Sequence, residues 1–167
     1  MSTLLLLRHA KSDWGDPGLP DHDRPLAPRG ERAAERMRAY LEESDLRPDL
    51  VLCSSALRAR GTLDRLAPAF PEAETLIEED LYGAGRDGLL QRLRSVPDGF
   101  QTVALIGHNP AIEDLALDLA GSGDDLDRMQ EKYPAGALAV LELDGRWRDL
   151  ASGAARLVAF VKPRELG

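Results

Sequence analysis

At 167 residues, 43% hydrophobic and 30% charged, the chain has the make-up of one ordinary globular domain, expected to span 1–167. Its formal net charge of -8 argues against a nucleic-acid or anionic-membrane partner, since phosphate backbones are bound by an excess of Lys and Arg. That balance does not speak against a small basic pocket. A single cysteine, Cys53, excludes an internal disulfide framework and a multi-cysteine zinc site. The opening "MSTLLLLRHAKS" has no basic n-region and only a short apolar run, so we expect no signal peptide, no membrane span and a cytoplasmic setting.

Taken in chain order, short apolar runs alternate with helical patterns. Leu4–Leu7 reads as a strand, and 29–44 as a helix with Ala33, Ala34, Met37 and Leu41 on one face. "LVLCS" is a second strand, followed by a helix over "LRARGTLDRLAPAF". "ETLI" is expected as a third strand, before a short helix over "DGLLQRLRSV". "TVALIG" is a strand leading into a helix over "PAIEDLALDLAG", with Asn109 as N-cap, Pro110 near N1 and Gly121 at the stop. "ALAVLEL" before Asp144-Gly145 and "RLVAFV" before Pro163 complete the strands.

Strands apolar on both faces and alternating with helices predict a three-layer α/β/α sandwich around a mostly parallel sheet. Two stretches, 12–28 and 121–136, read as long loops, which in compact domains are often lids or binding loops.

In open α/β sheets ligands sit beyond the carboxyl ends of the strands. Arg8 and His9 end the first strand, His108 ends the "TVALIG" strand, and Ser54 and Ser55 close the second, with Arg58 opening its helix. Two imidazoles and two guanidiniums gathered there, with no carboxylate among them, suit an oxyanion held bidentately. His22, in the first long loop, reads as solvent-exposed.

Other phosphate chemistries fail on spacing. Neither His9 nor His108 has the closely grouped ligands of H-E-x-x-H, so no metal is expected. Cys53 stands out of register with both Arg58 and Arg60 for C-x5-R, and reads instead as a buried strand residue. No Walker-type loop occurs. Phosphoryl transfer through histidine survives.

These residues resemble the histidine phosphatase superfamily, the phosphoglycerate-mutase-like group. "RHA" matches its R-H-G signature at Arg8 and His9, "SSALRARGT" its S-x-x-x-R-A-x-x-T segment at Arg58, and "GHNP" supplies His108. Mutase-type members read R-H-G-E-S-x-x-N, whereas this chain carries Ala10, Lys11 and Gly15. "RHAKS" and "DRPL" look more like the SixA-type phosphohistidine phosphatase branch.

The resemblance implies catalysis by His9, Arg8, Arg58 and His108, without cofactor or metal. His9 would be the nucleophile, and Arg8, Arg58 and His108 would bind the phosphate. Arg24 would reach the phosphate from the long loop, or pair with Asp21 or Asp23. "EDLYG" places Glu79 where mutase members carry an acid, either as proton donor, with Asp80 its rival, or in a solvated acidic cluster. Trp14 would close over substrate or anchor its loop. The expected activity is a phosphatase forming a phosphohistidine on His9, with protein phosphohistidine favoured as substrate. A small-molecule phosphomonoesterase would use the same pocket. From another class, a phosphate- or phosphoprotein-binding module would keep the pocket without turnover.

Overall fold

Alternate side chains of the leucine run enter opposite layers, and that alternation builds the molecule. In the computed structural model, which describes all 167 residues, β1 (Ser2–Arg8) sends Leu4 and Leu6 into one core and Leu5 and Leu7 into another. β2 (Leu50–Ser54) and β4 (Thr102–Gly107) divide their residues in the same way. A strand that is apolar at every position can only be stable with helices on both faces.

The first core is covered by α3 (Arg86–Arg94), α4 (Ala111–Leu119) and α5 (Leu126–Glu131). The second is covered by α1 (Pro28–Glu43) and α2 (Leu57–Leu66). The three-layer α/β sandwich is therefore as expected. With β3 (Glu74–Glu78), β5 (Ala120–Ser122), β6 (Leu138–Leu143) and β7 (Ala155–Val161), the sheet has seven strands in the order β3-β2-β4-β1-β6-β7-β5. Pairings β1–β4, β2–β4, β2–β3 and β5–β7 are parallel, while β6 runs antiparallel to β1 and β7.

Right-handed crossovers explain the layering. From β1 through α1 to β2, and through α2 to β3, the chain steps toward one sheet edge. It then returns through α3 to β4, which puts α3 on the opposite face. β1 and β4 are neighbours whose onward connections depart in opposite directions, the arrangement that opens a crevice at the strand ends.

Several boundaries differ from the sequence reading, each for a local reason. α2 stops at Leu66 and continues only as a 3-10 turn over Ala67–Ala69, because Pro68 has no N–H to donate. α4 starts at Ala111, one residue after Pro110, but the Asn109 Oδ1 still accepts the Glu113 N–H at 3.2 Å. Ala33 is only partly buried, and Gly30 takes the place on the packed face of α1. The stretch 121–136 is not simply a loop, since it holds the end of β5 and all of α5, elements too short to show a period. β3 is an edge strand with Leu76 and Ile77 exposed, so it is not apolar-covered on both faces. No helix is long and apolar enough to cross a membrane.

Candidate active site

The parallel run β2-β4-β1 brings Ser54, His108 and His9 to one edge of the sheet. The His9 and His108 ring centroids are 5.1 Å apart. Backbone bonds hold the end of β1 from both sides: His9 N–H donates to Gly107 O at 3.0 Å, and Gly136 N–H to His9 O at 2.9 Å. Buried backbone groups satisfied in this way leave the strand end little freedom to move.

The His9 ring is oriented by its own loop. Nδ1–H donates to the Ala10 carbonyl at 2.7 Å, which places the lone pair on Nε2, where it accepts a hydrogen bond from Arg58. Arg58 Nε lies 3.3 Å from that Nε2. The next peptide is tied to α2, where Ala10 N–H donates to Thr62 Oγ1 at 3.0 Å and Thr62 donates to Arg58 O at 2.8 Å. One threonine therefore fixes the His9 loop and the Arg58 turn relative to each other. Burial, followed by the nearby Arg58 and Arg8 charges, brings the His9 pKa down to about 4, although the Ala10 carbonyl opposes the change. Burial and the neighbouring His9 and Arg58 bring His108 down to about 3. Both rings are neutral at pH 7.

α1 presses against the same loop. A Cβ on Gly30 would lie 2.1 Å from the Lys11 carbonyl oxygen, far inside any tolerable contact. Only glycine permits this approach. Gly30→Ala is expected to displace the His9 loop, lowering turnover together with the melting temperature, at the roughly 1–3 kcal/mol usual for overpacking. A thermal melt and a turnover assay on the purified variant check this, and an unchanged melting temperature would refute the packing argument.

Arg58 is held from the first long loop. Its Nη1 donates to Asp21 O at 2.7 Å and its Nη2 to Asp21 Oδ2 at 2.9 Å. Tyr82 Oη donates to the same carboxylate oxygen at 2.6 Å. The Tyr82 hydrogen bond, then the Arg58 guanidinium, hold the Asp21 carboxyl below its ordinary range, so it is ionised. The Tyr82 ring stands edge-on to His108, centroids 5.6 Å apart.

His22 is not merely solvent-exposed as expected. Its Nε2 hydrogen-bonds Ser55 Oγ at 2.8 Å, and its ring packs edge-on against Tyr82 at 4.8 Å. Ser54 Oγ hydrogen-bonds His108 Nε2 at 2.7 Å. The sequence reading missed Asp21 and Tyr82 as site residues. Their one signal was the "YG" of "EDLYG", which lay next to the acid being sought.

The remaining expected residues fall as follows. Arg8 donates from Nη1 to Tyr133 O at 2.9 Å, and burial lowers its pKa. Arg24 is buried and pairs with neither Asp21 nor Asp23. Its guanidinium stacks 4.1 Å over the Trp14 ring and donates to Asp16 O at 3.2 Å. Trp14 thus anchors the loop through a cation–π contact. Glu79 is exposed, lines a surface cavity with Glu78 and Arg92, and makes no hydrogen bond to the histidine site. Cys53 is buried and its thiol is pushed up to about 12, so it is no nucleophile. No group of three or more His, Cys, Asp or Glu side chains is placed to hold a metal ion.

Among all buried side-chain nitrogens and oxygens, only Arg8 Nε, Arg24 Nε and His108 Nδ1 have no hydrogen-bond partner. Buried polar groups are nearly always satisfied, and two of these three exceptions, on Arg8 and His108, lie at the ends of neighbouring strands β1 and β4.

Comparison with known proteins agrees with this geometry. The sequence profile of the histidine phosphatase superfamily (branch 1) matches residues 4–83. A structure of a candidate phosphohistidine phosphatase SixA from Nakamurella multipartitia is similar at 34% identity and TM-score 0.83, covering 97% of this chain and 96% of that one. Its counterpart from Agrobacterium tumefaciens is similar at 31% identity and TM-score 0.84, covering 97% and 98%. An uncharacterised protein of Mycobacterium tuberculosis is 42% identical over 95% of this chain and its own full length. Two histidine-ended strands meeting at the crevice, and likenesses spanning nearly the whole chain, agree: this protein belongs to the histidine phosphatase superfamily, in its SixA-type branch.

Proposed function

We infer that the chain hydrolyses protein phosphohistidine through a covalent phosphohistidine on His9. The observation that carries this reading is that the carboxylate reaching the pocket is ionised, beside a neutral imidazole whose Nε2 faces Arg58. Asp21, the carboxylate that reaches the pocket, is held ionised by Tyr82 and Arg58. Glu79 meets the site only through its backbone carbonyl, which accepts from Tyr82 N–H, and its side chain lines a surface cavity instead. An alkoxide leaving a phosphoester needs a proton from such an acid. A phosphorylated imidazole protonated on its distal ring nitrogen leaves as neutral imidazole, with no further acid needed.

In this mechanism the His9 Nε2 lone pair attacks phosphorus as the substrate's P–N bond breaks. Arg58, whose Nε already lies beside Nε2, donates to the phosphoryl oxygens as negative charge gathers on them. The unpartnered Arg8 Nε and His108 Nδ1 supply further donors, in a tautomer that places the proton on Nδ1. Arg24 contributes positive charge from the loop, and acts on Asp21 through space. Water then attacks the phosphorus of phospho-His9, releasing inorganic phosphate and the neutral ring. The Arg8 and Arg58 guanidiniums, with Arg24 behind them, do the charge neutralisation that a divalent metal would otherwise supply.

The test is a rapid-quench trap using a labelled phosphohistidine protein and, in parallel, a phosphoserine peptide. An acid-labile, base-stable label on wild type but not on His9→Ala is expected, with kcat/KM strongly favouring phosphohistidine. Preference for phosphoserine would reassign the site to phosphomonoesters. Binding of substrate with neither label nor turnover would reduce the protein to a binding module.

A further inference from the structure

At the β1 terminus, with Arg8 in its lining, the surface opens into a second cleft of about 550 Å³. Its walls carry Lys11, Arg29, Arg36, Lys132, Lys162 and Arg164, with Arg8 at the junction with β1 and no acidic residue among them. In a chain of net charge -8 this gathers seven of its 21 cationic side chains in one place. Like charges brought this close repel, and folding gains nothing from the concentration.

The six flanking cations are also free. None has a carboxylate oxygen within 4 Å, whereas ten of the other arginines sit in ion pairs. Lys162 is the most buried of them, only 5% exposed, with no carboxylate within 4 Å of its ammonium, although Glu165 accepts its backbone N–H at 3.0 Å and feels its charge. Buried lysines are almost always paired. The fold maintains the cluster from four separate segments: the end of β1, α1, the 132–135 turn and the segment after β7. Gly30 is what lets α1 come close enough to set Arg29 and Arg36 beside Lys11.

We propose that this cleft is a second anion site, distinct from the histidine pocket, which takes a small, multiply charged oxyanion of the condensed-phosphate type. Charge density selects that class. A chain of linked phosphates carries a charge every few ångströms along a compact body, whereas acidic side chains are spread along a peptide on flexible stems. The uncharged lining is only Pro134, Ala135 and Pro163, which offers no aromatic face for a nucleobase. The volume suits a ligand of a few phosphate groups. Arg8 lines this cleft and His9, Arg58 and His108 do not, so the two sites would share one guanidinium.

Calorimetric titration of the full chain with inorganic tripolyphosphate, near physiological salt, tests the assignment. Binding is expected, at least tenfold weaker in R36E/K132E, whose replaced side chains are both exposed and unpaired. R148E, a charge reversal elsewhere on the surface, and R58A, which removes the cation beside His9, should each stay within about twofold of wild type. Circular dichroism and a thermal melt confirm that each variant is folded. Unchanged affinity in R36E/K132E, or binding lost in R58A, would overturn the second site. Tighter binding of hexaglutamate than of tripolyphosphate would overturn the ligand class, and no detectable binding would overturn both.

Discussion

Arg58→Ala is expected to lower kcat by roughly 10²–10³, the usual loss when an oxyanion donor is removed, while the fold survives. Arg58 Nε lies 3.3 Å from the His9 nitrogen proposed to attack, so its charge is already where phosphoryl oxygens would gather. Its two Nη groups are committed to Asp21, so the guanidinium stays preorganised at no cost during the reaction. Lysine at this position should not restore the rate, because an ammonium cannot hold Asp21 and face the phosphate in one fixed plane. Asp21→Asn should cost less than Arg58→Ala, since it loosens the arginine without removing it. Steady-state kinetics on the three variants, with circular dichroism as the folding control, order these effects. Equal rates for wild type and Arg58→Ala would remove Arg58 from the mechanism.

The second large effect is on pH dependence. His9 and His108 titrate near 4 and near 3 in the folded protein, against an ordinary value of 6.5. Between pH 6.5 and about 4, the unfolded chain therefore binds protons that the folded chain refuses, and stability rises with pH across that window. Lowering a pKa by one unit on folding corresponds to about 1.4 kcal/mol, and burial lowers both of these, so the pair weakens the fold by several kcal/mol at the acid end. The melting temperature of wild type should fall steadily from pH 6.5 to 4.5. In His9→Gln/His108→Gln this slope should flatten, because two of the refusing groups are gone. Catalysis follows the same titration: phosphorylation of His9 should keep its rate down to pH 5, where an ordinary histidine is mostly protonated and non-nucleophilic. An acid limb near pH 6.5 would show that His9 is not shielded as the geometry requires.

How much of this was legible beforehand depended on how local each feature is. Leu4–Leu7, "LVLCS" and "TVALIG" announce two-faced strands residue by residue, since burial on both faces leaves no polar position. Given such strands, parallel pairing and right-handed crossovers put Arg8, His9, Ser54 and His108 on one edge with little choice left. The sequence by itself determined the layered fold and the histidine pair, because periodicity and chain order suffice for both.

Asp21, Tyr82 and the role of His22 were decided only by the tertiary structure. They sit in loops without period, and a loop side chain's partner is chosen by where the loop lands. Asp21 met Arg58 across 37 positions and Tyr82 across 61. Arg24 found Trp14 rather than either nearby aspartate for the same reason. The cationic cleft is the extreme case, since net charge is a sum over the whole chain and records nothing about position. Four segments, each unremarkable alone, acquire a shared field only when folding brings them within a Debye length of one another.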